Sequence, residues 1–82
     1  MFTILRKTVD GRSHDDYYHN YGKAKRALNE SMDRTMTCIG GTITRKIDRM
    51  NSTKGFYEYQ VDATLSTGEK CTWALIDGHF SD

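Results

Sequence analysis

The 82-residue sequence contains no proline and a single tryptophan, and nowhere does it run into a Pro-, Ser- or Gln-rich tract. With 37% hydrophobic and 28% charged residues, this composition excludes disorder over the whole length. Long apolar runs are missing as well. Those present are too short to span a bilayer or to form the core of an export signal, which predicts a cytoplasmic protein with no membrane partner. A charge excess is also absent. Twelve Lys and Arg stand against eleven Asp and Glu, a net charge of +1, where a free-standing nucleic-acid binder usually carries a clearer basic surplus. Cys38 and Cys71 stand singly rather than as Cys-x-x-Cys, so no paired-cysteine metal motif exists. Without an export signal, both are expected to be reduced and buried as small hydrophobes. The length leaves room for one domain, 1–82, with a small core.

What the sequence does have is rhythm. From Phe56 to Leu65 every second residue is apolar (Tyr57, Tyr59, Val61, Ala63, Leu65), and Glu58, Gln60, Asp62 and Thr64 alternate with them. Successive strand side chains point to opposite faces, so this is a strand with one covered face and one wet face, as antiparallel sheets have. The rest of the chain is expected to cover the tyrosine face. Phe2 to Val9 reads as a first strand, with its inward face ambiguous between Phe2/Ile4 and Leu5/Val9. Asp10-Gly11 is a hairpin dipeptide, followed by a short return strand over Asp16 to His19 or by a loop.

A helix is predicted from Tyr21 to Met36, capped by Asn20, with Tyr21, Ala24, Leu28, Met32 and Thr35 on one stripe. Gly40-Gly41 breaks it. Thr42 to Met50 follows as a strand in which Ile43, Arg45, Ile47 and Arg49 share a face by parity. Asn51 to Gly55 turns into the 56–65 strand, and Ser66 to Glu69 turns into a last strand, Lys70 to Ile76. Asp77 to Asp82 reads as a polar tail. The expected fold is α+β: a two-layer domain, β(β)αβββ, with a four- or five-stranded, largely antiparallel sheet and one helix on one face. The other face would display Thr42, Thr44, Lys46, Glu58, Gln60, Asp62, Thr64 and Thr72, with Phe56 and Ile76 as apolar islands.

No catalytic group is expected. Nucleophilic catalysis needs a nucleophile beside an oriented base, whereas His14, His19 and His79 fall in loops or near a chain end, and no signature surrounds any Ser or Cys. A one-helix, two-layer domain also has little depth for a water-excluding pocket. His14, Asp15, Asp16 and His19 are competent ligand types, but their spacing matches no structural zinc pattern, so no metal or other cofactor is expected. Lys54-Gly55-Phe56 begins like the octapeptide of RNA-recognition motifs. Tyr57-Glu58-Tyr59 then puts an acid where a stacking aromatic belongs, and no second helix follows.

The Met-Phe-Thr-Ile start, the Tyr-Gly-Lys-Ala-Lys-Arg-Ala-Leu helix start and the proline-free strand meander resemble small single-domain proteins carried by phages and mobile elements, the anti-CRISPR proteins among them. That resemblance implies an inhibitor that occupies a surface on a host nuclease complex, and it transfers no functional residue. The sequence thus predicts a non-catalytic module that recognises another protein and takes no small-molecule substrate. Its contacts are expected at Arg45, Lys46, Arg49, Lys54, Phe56 and Glu58, with Tyr17 or Tyr18 as further anchors, since arginine and aromatic residues anchor such interfaces. The alternative is sequence-independent binding of a nucleic-acid backbone through the basic hairpin 45–54.

Overall fold

The structure, a computed structural model, describes residues 2–51 and 56–78. In chain order these form β1 (Phe2–Val9), β2 (Arg12–Tyr18), α1 (Tyr21–Cys38), β3 (Gly41–Asn51), β4 (Phe56–Leu65) and β5 (Lys70–Gly78). The strands make one antiparallel sheet in the order β2-β1-β5-β4-β3, with α1 on one face. The expected α+β, two-layer architecture is therefore present.

The first hairpin is tight because Asp10 (φ 51°) and Gly11 (φ 84°) both adopt the left-handed backbone that two-residue hairpin turns require. Pairing resumes at once with Val9 opposite Arg12, so the return strand starts four residues before Asp16 and ends at Tyr18.

Asn20 caps α1, its Oδ1 accepting the Lys23 backbone N–H at 2.8 Å. The predicted stripe faces the sheet: Ala24, Leu28 and Thr35 are buried, and Tyr21, Ala27, Met32 and Met36 pack around them. The helix runs two residues past Met36 and stops where Gly40, at φ +84°, turns the chain. Cys38, at its last position, is exposed, contrary to expectation; Cys71 is buried.

Below the helix, the core joins Tyr59, Val61, Ala63 and Leu65 of β4 to Cys71, Trp73 and Leu75 of β5 and Leu5 of β1. Burying each large apolar side chain contributes roughly 1.5–3 kcal/mol, which is substantial in a chain this small. The middle strand is β5 rather than β4, and Trp73 at its centre is fully buried. The ambiguity of β1 resolves in favour of Leu5, which lies opposite Leu75 on the helix side. Lys7 shares that side, with its ammonium 3.4 Å from Thr35 Oγ1 and 5.7 Å from the Trp73 ring centroid. Among the described residues, no helix is long and apolar enough to cross a membrane.

The sequence parity fails on β3. The register slips between Ile43 and Arg45, so that Ile43 opposes Ala63 while Arg45 opposes Asp62. One extra residue, Thr44, is accommodated as a β-bulge, with its Oγ1 donating to the Asp62 carbonyl. A single inserted residue reverses the alternation. Ile43 stays on the helix side, whereas Arg45, Ile47 and Arg49 move to the open side with Asp62, Gln60 and Glu58. Lys46, opposite Val61, is thereby transferred to the helix side, and Thr44 does not take part in the open-face pattern.

Candidate partner-binding face

Among the described residues α1 is the one helix, and it covers one face of the sheet. On the other, the strand register aligns Asp15, Arg6, Ala74, Gln60 and Ile47 in one row across all five strands. A neighbouring row runs Ser13, Thr8, Thr72, Asp62, Arg45. Small Ala74 and Thr72 lie on the middle strand, and long arginines stand on either side. The result is a shallow depression of about 530 Å³, with Ala74 in its lining and Arg6 and Arg49 among its bordering residues.

Cations and carboxylates alternate over this surface. Arg6 donates to Asp15 through two parallel bonds, Nε to Oδ1 at 2.8 Å and Nη2 to Oδ2 at 3.0 Å. Such fork geometry is the strongest form of an exposed ion pair. It holds the Asp15 carboxyl below the usual aspartate range, the Arg6 hydrogen bond being the main cause and partial desolvation opposing it. Arg49 Nε donates to Glu58 Oε2 at 3.1 Å, and Gln60 Nε2 to Asp62 Oδ1 at 3.0 Å. The Thr8 and Ser13 hydroxyls are 2.9 Å apart. Each of these side chains is oriented by a neighbour.

Of the residues predicted to bind, Arg45, Arg49 and Glu58 fall together on this face. Lys46 does not: its ammonium lies 5.6 Å from the Tyr59 ring on the helix side, with Lys25 of α1 at 4.8 Å from the same ring. Phe56 opens β4 opposite Asn51, and Lys54 lies outside the described residues. Tyr17, 61% exposed, joins the open face beside Ile4, whereas Tyr18 packs on the core side. Arg6 and Asp15 are members of this surface that the predicted contact set leaves out. The signal existed in principle: a two-residue turn at Asp10-Gly11 pairs residues whose numbers sum to 21, and 6 with 15 is such a pair.

The strand alternation also separates the candidate metal ligands. Asp15 turns to the open face, while His14 and Asp16 share the helix side, with His14 Nε2 3.2 Å from Asp16 Oδ1. Among the described residues, no three His, Cys, Asp or Glu side chains converge as a metal site would require. Nearby Ser31 accepts the Trp73 indole N–H at 3.1 Å. No family model matches the chain, and neither a curated protein nor a solved structure matches it.

Proposed function

We propose that this protein is a non-catalytic binding module whose partner is another protein, docked on the open sheet face. The observation that carries the reading is the balance of charge on that face. Arg6, Arg45 and Arg49 alternate with Asp15, Glu58 and Asp62, with apolar Ile47 and Ile76 at the same depression. A phosphate backbone is matched by a surface of one sign, and three interspersed carboxylates would repel it. A protein surface presents both signs and apolar patches together, and arginine with exposed tyrosine is the usual anchor set. The resemblance to phage-borne inhibitors favours occupancy of a host enzyme complex as the outcome of that binding.

The test is a photo-crosslinking amino acid at Gln60, in the open face, compared with one at Arg26 on the exposed side of α1. A protein adduct formed from position 60 and not from position 26 supports the reading. Adducts to DNA or RNA from position 60, abolished by high salt, would transfer it to the nucleic-acid alternative through Arg45 and Arg49.

A further inference from the structure

β3 is an eleven-residue strand at the edge of the sheet, and α1 lies over β2, β1 and β5 rather than over it. From Gly41 to Met50 every residue except Ile47 is exposed, Ile43 by 48% and Met50 by 62%. Held by its ladder to β4, the strand gains little from burial on either face in an isolated protomer. Among the described residues no strand pairs with its outer edge, whose backbone donors and acceptors suit a further strand.

We infer that β3 is the seam of a homodimer, in which two copies pair antiparallel about a two-fold axis at Ile47, perpendicular to the sheet. The axis follows from the side-chain order. A two-fold of this kind opposes residues equally spaced about it, and opposed residues share a face. Centred on Arg45, Lys46, Asp48 or Arg49, it would set a charge against its own copy. Ile47 is the uncharged position between them.

Centred there, Lys46 opposes Asp48 of the second copy, and Asp48 opposes its Lys46, giving two ion pairs on the helix side. On the open side Arg45 faces Arg49 of the second copy and Arg49 faces its Arg45, two repulsions that the Glu58 carboxylate of each copy, 3.1 Å from its own Arg49, offsets. Edge strands that avoid association carry bulges and charges that repel a copy of themselves. Here the bulge at Thr44 leaves Arg45–Asn51 in regular register with β4, and the helix-side charges attract their own copies. The dimer would keep both open faces on one side as a single wide surface, so the inference does not depend on what that surface binds.

Light scattering on the intact protein over a range of concentrations tests it. The parent is expected to reach a mass near twice 9.4 kDa. Lys46→Asp or Asp48→Lys alone turns both attractive pairs into repulsive ones and should weaken association by about 10-fold or more. The double variant, Lys46→Asp with Asp48→Lys, recreates the pairs and should restore the dimer. Ile47→Lys, placing two ammonium groups on the axis, should also dissociate it, and far-UV circular dichroism checks that each variant folds. A parent that stays monomeric at every concentration, a different stoichiometry, or a dimer indifferent to these charge changes would overturn the inference.

Discussion

The indole Nε1 of Trp73 donates to Ser31 Oγ across 3.1 Å, joining the middle of the sheet to the helix that covers it. Trp73 is fully buried between the two layers. Trp73→Ala should cost about 3–5 kcal/mol, enough to leave a chain of this size largely unfolded. Ser31→Ala removes only the acceptor and should cost about 1–3 kcal/mol for the stranded N–H. Urea denaturation measures the Ser31→Ala loss and far-UV circular dichroism the folded fraction of Trp73→Ala; a Trp73→Ala variant as folded as Ser31→Ala would contradict this division between packing and hydrogen bonding.

Gly41 starts β3 against the backbone of β4. A Cβ there would meet the Thr64 carbonyl oxygen and come within 2.8 Å of Leu65 Cα, and neither atom can swing aside. Gly41→Ala should therefore cost about 1–3 kcal/mol in denaturant stability. At Gly68 (φ +91°) nothing lies within 4 Å of the added atom, so Gly68→Ala should show only the backbone strain, about 1–2 kcal/mol. Amide shifts that spread along β3 and β4 in the first variant, and stay at the turn in the second, would distinguish the two causes.

The Asp15 carboxyl, lowered chiefly by the Arg6 hydrogen bond, should titrate below an ordinary aspartate when followed by NMR. Because the folded value is the lower one, the pair's stabilisation is fully present above the unfolded-chain pKa. It is lost as pH falls through the folded pKa. Both side chains stay partly exposed, 44% and 26%, so the informative reading is the titration midpoint. Arg6→Gln should move it back up, and an unchanged midpoint would mean that the fork contributes nothing.

The two cysteines should differ in reactivity. Burial pushes the Cys71 thiol up, with Lys7 partly opposing, whereas Cys38 is exposed. A thiol reagent at neutral pH should therefore modify Cys38 in the folded protein and Cys71 only on unfolding. Equal rates in the native state would contradict the packing around Trp73.

The sheet, the helix stripe and both tight turns were legible because each is written locally, in a period of two, a period of 3.6, or a turn dipeptide. The β4 rhythm needed no partner to be read. Less was legible where pairing between distant segments decided the outcome. That β5 rather than β4 holds the middle follows from β1 closing on β5, some seventy residues away in sequence, a choice that local pattern does not encode. The side of the sheet that each candidate residue takes was legible only in part, for a similar reason. Glu58 sits in an unbroken strand, so its parity held, whereas one bulge at Thr44 exchanged the faces of Lys46 and Arg45.

The most direct measurement fills the open face and leaves the rest alone. Ala74 lies in the lining of the depression between Arg6 and Gln60, so Ala74→Arg should obstruct it, while Arg26→Glu on α1 changes an equally long side chain elsewhere. If the open face docks a protein, affinity capture from the host cell should recover the same protein with the parent and with Arg26→Glu, and lose it with Ala74→Arg in a variant that still folds. Undiminished capture by folded Ala74→Arg, or recovery of nucleic acid alone that high salt removes, would contradict it.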